Sequence, residues 1–281
     1  MKVGIVGYGF VGKALCDGIK DEVDLCIIDP KLNTSIKDLK SFNPDFIFIC
    51  VPTPMLDDGS QDISIVNNVI TEINLFNKNA VVVLKSTVLP SHVKSILEKS
   101  NSIILNPEFL REISAKEDFI NSSLILFGGD NNNCLKLSDF YKKFTKCKNK
   151  DHTFVDDALS ASLIKYTINS FLATKVIFFN ELKEVFDNSG TNDTWEDFTN
   201  ALSLDSRIGD SHMQVPGPDG RKGFGGPCFP KDTKALHKYS KEIGADFRLL
   251  NEAINTNNII RSKYNKLTSR EAEQNINFDK E

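Results

Sequence analysis

The chain has 281 residues, of which 40% are hydrophobic and 26% charged, and a net charge of −4. That is enough apolar material for one large or two ordinary globular domains. No basic stripe accompanies the charge, which argues against a nucleic-acid partner, and no apolar run reaches the ~18 residues of a membrane span. The opening MKVGIV is strand-like, so no signal or transit peptide is expected before it. Cys16, Cys26, Cys50, Cys134, Cys147 and Cys228 therefore read as reduced thiols of a cytoplasmic protein. Cys26 and Cys50 lie in apolar runs and are expected to pack as small hydrophobes.

In chain order, the first half alternates strand-like and helix-like stretches. Residues 2–7 (KVGIVG), 23–29 (VDLCIID), 45–51 (DFIFICV), 80–86 (AVVVLKS), 101–107 (NSIILNP) and 123–129 (SLILFGG) are apolar runs without alternation, as strands buried on both faces should be. Helical patterns between them predict an α/β fold with a parallel, doubly wound sheet. From about Asp156 one long helical segment follows, with Asp156 or Asp157 to cap its start and Gly190 its end. It would be roughly 50 Å long and is apolar on more than one face, through Leu163, Ile164, Ile168, Phe171, Leu172, Val176, Phe178 and Phe179. Such a helix calls for burial in a core or against a second subunit. More helix is expected at 194–204, then a Pro/Gly-rich loop at 211–226 and a last helical stretch over 231–267. Residues 268–281 read as a polar, fraying tail.

Gly7-Tyr8-Gly9-Phe10-Val11-Gly12 is a GxGxxG turn directly after a strand, and Asp29 ends the next strand at the expected distance of ~20 residues. The glycines permit a tight turn, close approach of a pyrophosphate and close helix–strand packing, with the phosphate at a helix N-terminus. The aspartate would hold the ribose hydroxyls and repel a further phosphate, so NAD is favoured over NADP. Val51-Pro52-Thr53-Pro54, Lys85-Ser86-Thr87-Val88 and Asn106-Pro107-Glu108-Phe109-Leu110-Arg111-Glu112 follow the third, fourth and fifth strands. They place hydroxyls and carboxylates at the sheet edge where ligands bind in such folds. Lys165 and Asn169, i and i+4, share a helix face. Taken alone, each of these also fits an ordinary loop or a surface stripe. Gly223 to Asp232, GFGGPCFPKD, sets a cysteine, a lysine and an aspartate within five residues after a glycine-rich turn. A thiol there, with backbone N–H groups and a cation nearby, is suited to nucleophilic chemistry. No metal site is expected.

In order, GYGFVG, VPTP, KSTV, NPEFLRE, LIKYTINSFLATKVIFFNEL, RIG and GFGGPCFPKD resemble the UDP-glucose/GDP-mannose dehydrogenase family, from Met1 to roughly Leu267. The resemblance implies an NAD-binding Rossmann-like domain over 1–154 and a helical central domain over 155–267 with a long dimerisation helix. It implies oxidation of the C6 alcohol of a nucleotide sugar to a carboxylate, with two NAD and one water, through a thiohemiacetal and a thioester. UDP-glucose is the expected substrate, ahead of GDP-mannose. By the same resemblance Cys228 is the nucleophile. Asp232 and Lys165 act with a bound water on the first proton and later on the oxyanion, which Asn169 also contacts. Thr87 and Glu112 orient that water or the nicotinamide end, and Glu108 is the base for thioester hydrolysis. Gly7, Gly9, Phe10, Val11, Gly12, Asp29, Pro52 and Thr53 hold the cofactor. Phe109, Leu110, Phe224, Gly225 and Gly226 line the sugar, and Arg207 reaches the substrate of a neighbouring subunit, so a homodimer is expected. Pro227, Ser162 and Ile113 depart from the residues common in relatives. Typical members continue into a second Rossmann-like domain that binds the nucleotide. Here the loop at 211–223, with Arg221 and Lys222, or another chain, is expected to supply the phosphate contacts. A non-catalytic NAD-binding or assembly module, and a one-step hydroxyacid dehydrogenase with no use for Cys228, are the competing expectations.

Overall fold

A computed structural model describes residues 1–77, 79–99 and 103–278. The first residues of the expected fifth strand, 101–102, and the end of the expected tail, 279–281, lie outside the described residues. The chain divides into two compact units, Met1–Thr53 with Gln61–Lys165, and Pro54–Ser60 with Tyr166–Glu281.

The first unit is built on a sheet of β1 (Lys2–Val6), β2 (Asp24–Ile28), β3 (Phe46–Ile49), β4 (Val81–Leu84), β5 (Ile103–Leu105), β6 (Leu126–Gly128) and β7 (Thr153–Val155). Their order is β2-β1-β3-β4-β5-β6-β7. Because side chains alternate along a strand, successive residues feed two cores. Ile47, Ile49, Val82 and Leu84 face one core, shared with Val66 and Ile70 of α3 (Ser64–Phe76) and Val93 of α4 (Pro90–Leu97). Phe46, Phe48, Val81 and Val83 face the other, with Leu15 of α1 (Phe10–Gly18) and Phe140 and Tyr141 of α6 (Asn131–Phe144). That is why these strands carry unbroken apolar runs. A short α2 (Asp38–Phe42) and α5 (Ala115–Ile120) complete the layers.

Two expectations are corrected here. β7 is a seventh strand, short and at the sheet edge. β6 pairs antiparallel with β5 through Leu105 and Gly128, so the sheet is mostly, not wholly, parallel. A strand buried on both faces reads the same in either direction, so its composition does not encode its polarity.

α7 (Ala158–Asn188) begins in the first unit and continues into the second. The Asp157 carboxylate accepts the Leu159 N–H at 2.8 Å as a start cap, and Gly190 follows the end at φ +76°. Ala173 and Ile177 pack with Phe224 and Ala253, and Phe179 packs with Met213 and Val215. Phe171 and Phe178 nevertheless remain 66% and 60% exposed, so this chain alone does not bury the whole helix. α8 (Trp195–Ser203) lies near its expected place.

The helix expected over 231–267 is instead two, α9 (Phe229–Glu242) and α10 (Arg248–Arg261). Gly244, at φ +77°, ends α9 while the Ala245 N–H returns to the Ser240 carbonyl at 2.8 Å, a Schellman-type stop. The fraying tail is also corrected. Thr268 caps α11 (Ser269–Glu273), with Glu271 completing a capping box, and Ile276 and Phe278 are buried.

Candidate active site

The chain leaves β1 through Gly7, whose φ is +95° and whose Cβ, if present, would lie 2.6 Å from the Cys50 carbonyl oxygen. A Cβ at Gly12 would lie 2.1 Å from the Gly7 carbonyl oxygen, so α1 packs tightly on the turn. Gly9, at the N-cap of α1, has nothing within 4 Å of its Cβ position. The three glycines thus provide a tight turn, an open approach to a helix N-terminus and close packing, as a pyrophosphate requires. Phe10 and Val11 open α1 behind them. The Asp29 carboxylate accepts the Tyr8 N–H at 2.7 Å and the Lys31 N–H at 2.9 Å, which fixes it beside the glycine turn. These residues fit a dinucleotide with free ribose hydroxyls. Gly12→Ala should destabilise the protein by about 2 kcal/mol and raise the Kd for NAD severalfold, as read by calorimetric titration.

The loops after β3, β4 and β5 are tied together. Thr53, buried beside exposed Pro52, donates its hydroxyl to the Thr87 carbonyl at 3.0 Å, and Gln61 donates to the same carbonyl at 2.7 Å. The Lys85 ammonium is buried and donates to the Asn106 carbonyl and side-chain oxygens at 3.2 and 3.0 Å. Tyr141 donates to that same side-chain oxygen at 2.6 Å. Burial pushes the Lys85 pKa down. This network, which sequence reading missed, fixes the chain immediately before Pro107 and Glu108; its signal was a lysine closing an apolar strand. Glu108 is buried, accepts the Leu110 N–H at 2.6 Å and pairs with the buried Lys165 ammonium at 3.3 Å. That ammonium also lies 5.3 Å from the centre of the Phe109 ring. Glu112 stands in a 3₁₀ turn (Glu112–Ser114), exposed.

In the second unit, Asn169 of α7 donates to Asp232 at 2.6 Å, and Lys231 donates to the other carboxylate oxygen at 2.6 Å. Asp232 is 1% exposed. The lysine of the cysteine motif is therefore engaged with Asp232. Cys228 is half-buried at the N-cap of α9, where the helix end favours developing negative charge. The Asp232 N–H donates to the Cys228 carbonyl at 2.9 Å, so one helical turn links the thiol and the carboxylate. Phe224 is clamped by Asn257, which accepts its N–H at 2.7 Å and donates to its carbonyl at 3.0 Å. Asn180 accepts the Gly223 N–H at 2.9 Å. Gly226 is at φ +77° with open space at its Cβ position.

Burial pushes the thiols of Cys16 and Cys50 up to about 12 and that of Cys134 to about 11, and raises Cys26 and Cys147. Those five thiols stay protonated at neutral pH. Arg207 is on the surface, paired with Asp205 at 2.6 Å. Arg221 donates to the Lys266 carbonyl at 2.9 Å, and the Lys222 N–H donates to the Tyr264 hydroxyl at 2.9 Å, so their loop is anchored to the segment that follows α10.

Residues 23–145 match the NAD binding domain of the UDP-glucose/GDP-mannose dehydrogenase family, and residues 159–259 match its central domain. The chain is 37% identical over 223 residues to a UDP-glucose 6-dehydrogenase of Rickettsia bellii (strain RML369-C), covering 76% of this chain and 49% of the relative. It is 33% identical over 253 residues to the UDP-glucose 6-dehydrogenase TuaD of Bacillus subtilis (strain 168), covering 85% and 52%. Among solved structures, a UDP-glucose dehydrogenase from the hyperthermophilic archaeon Pyrobaculum islandicum aligns with a TM-score of 0.73 at 26% identity, over 92% of this chain and 68% of that one. The chain spans about half the length of the curated relatives it matches. The matched stretches hold Asp29, Thr87 and Glu108 in the first unit and Asn169, Cys228 and Asp232 in the second. With both domains matched in order, the chain belongs to the UDP-glucose/GDP-mannose dehydrogenase family.

Proposed function

We propose that this chain oxidises the C6 alcohol of UDP-glucose to the carboxylate, with NAD as acceptor and Cys228 as covalent nucleophile. The observation that carries this reading is the engagement of the motif residues within each unit. In the first, Lys165 pairs with the buried Glu108; in the second, Asn169 holds the buried Asp232, four residues after Cys228.

A dinucleotide held by Gly7, Gly9, Gly12 and Asp29 would supply the hydride acceptor for each of two oxidations. Asp232, with Lys165 and a water, takes the alcohol proton in the first. The Cys228 sulfur adds to the aldehyde carbon, and the resulting oxyanion of the thiohemiacetal is held by the Lys165 ammonium and the Asn169 amide. Loss of the second hydride leaves a thioester. Glu108 takes a proton from the water that cleaves it, releasing the carboxylate and returning the thiol. One alcohol, one water and two NAD give one carboxylate, two NADH and three protons. Thr87 and Glu112 orient water or the nicotinamide end. The backbones of Phe109 and Leu110, with Phe224, Gly225 and Gly226, line the sugar.

The test is NADH formation by the purified chain with UDP-glucose or GDP-mannose. The expected result is a kcat/KM for UDP-glucose at least tenfold the larger (about 1.4 kcal/mol of discrimination). Absence of NADH with every nucleotide sugar, despite NAD binding, would overturn the reading in favour of a non-catalytic module.

A homodimer and a cytoplasmic location belong to the same proposal. The exposed Phe171 and Phe178 of α7 form its seat, from which Arg207 reaches the neighbouring site. Among the described residues, no helix is long and apolar enough to cross a membrane. Phe178→Asp should shift light-scattering mass to that of a monomer; an unchanged dimer would contradict this seat.

A further inference from the structure

Residues 268–278 lie beyond the stretch that matches the family's central domain, 159–259, yet they are bound to the loop that carries Cys228. One oxygen of Glu271 closes the capping box by accepting the Thr268 N–H at 2.7 Å. Its other oxygen accepts the Gly226 N–H at 3.0 Å, two residues before Cys228. The carboxylate is 0% exposed, so this charge-assisted bond has no competing water. The Arg261 guanidinium lies 4.0 Å from the same oxygen. It donates to the Gly223 carbonyl at 2.9 Å and is itself held by Asp219 at 2.6 Å. Gly223 and Gly226 are thus held by opposite charges. Gly225, between them, passes so close that a Cβ would lie 2.5 Å from Glu271 Oε1 and 2.7 Å from Arg261 Nη1.

The segment is seated at several points. The Met55 N–H donates to the Gln274 carbonyl at 3.2 Å, and Asn275 donates to the Met55 carbonyl at 3.2 Å. Lys234 donates to the Asn277 carbonyl at 2.8 Å.

We infer that Glu271 is a positioning residue for Cys228: it holds the Gly226 amide and thereby fixes the glycine-rich loop that delivers the thiol to the N-terminus of α9. It acts through the backbone and touches no substrate. A strap that must leave before the sugar binds is the alternative use of the same contact. Positioning is favoured because both carboxylate oxygens are engaged, no solvent reaches them, and the capping box presets the side chain in α11 itself.

The inference rests on the proposed role of Cys228, and the test separates the two. Glu271→Ala, Glu271→Gln and Ile276→Ala are made in the full chain. Turnover with UDP-glucose is measured together with alkylation of Cys228 by iodoacetamide, followed by peptide mass. Glu271→Ala is expected to lower kcat on the order of tenfold to a hundredfold and to slow Cys228 alkylation severalfold. KM for NAD should be unchanged, since its residues lie in the other unit. Glu271→Gln, which keeps an acceptor for the Gly226 amide, should recover most of both losses. Ile276→Ala loosens the segment while keeping the Glu271 side chain and its partners, and should shift both readouts the same way by less, which keeps the test open if Glu271→Ala does not fold. Unchanged kcat and alkylation would overturn the inference, and a rise in kcat/KM would overturn it in favour of an inhibitory strap. If the unmodified chain oxidises no nucleotide sugar, the alkylation rates alone decide, so failure of the functional reading is distinguishable from failure of this one.

Discussion

Replacing Cys228 with serine should abolish net formation of the sugar acid while leaving the fold and NAD binding in place. The side chain is half-buried at a helix N-cap and serine differs from it by one atom, so little stability is at stake. The other thiols offer no second route, because burial holds them protonated, Cys16 and Cys50 at about 12. A serine hydroxyl is a far weaker nucleophile at neutral pH than a thiol unless a base activates it. The expected loss in turnover to the acid is on the order of 10³-fold or more, read as NADH formed under saturating substrate. Turnover to the acid within tenfold of the unmodified chain would remove Cys228 from the mechanism and point to a one-step dehydrogenase.

Asp232 separates stability from chemistry. Its carboxylate is buried and receives both the Asn169 amide and the Lys231 ammonium. Asp232→Ala takes away the carboxylate that the buried Lys231 faces, and should cost about 3 kcal/mol of stability, visible in a urea titration. Asp232→Asn keeps the shape and an acceptor oxygen but cannot take a proton. It should cost less stability yet lower kcat by roughly 10²- to 10⁴-fold. Near-normal kcat in Asp232→Asn would show that Asp232 is structural and that proton transfer runs through another group.

Much of the first unit was legible because its requirements are local. A strand buried on both faces must be apolar throughout, and the GxGxxG turn fixes which residues can tolerate φ +95° at Gly7 and the close contact at Gly12. Asp29 followed from strand spacing alone. Strand polarity did not: β6 runs antiparallel to β5, and nothing in SLILFGG distinguishes the two directions. The break between α9 and α10 was readable at Gly244, a residue that commonly stops a helix, but the stretch over 231–267 was read as continuous. The reading of 268–281 as a fraying tail counted polarity and overlooked the T-x-x-E capping signal at Thr268 and Glu271. In the candidate site, Cys228, Asp232, Asn169, Lys165 and Glu108 were singled out from motif and resemblance. Their supports, Lys85 with Asn106 and Tyr141, and Arg261 with Glu271, were not. Those supports join residues far apart in the chain, and only the fold brings them together.

The most direct measurement is the number of NADH formed per UDP-glucose consumed by the purified chain at saturating NAD. Two per sugar, with UDP-glucuronate as the product, is the result predicted by a thiohemiacetal and thioester on Cys228. One per sugar, with release of the aldehyde, would contradict a covalent four-electron mechanism.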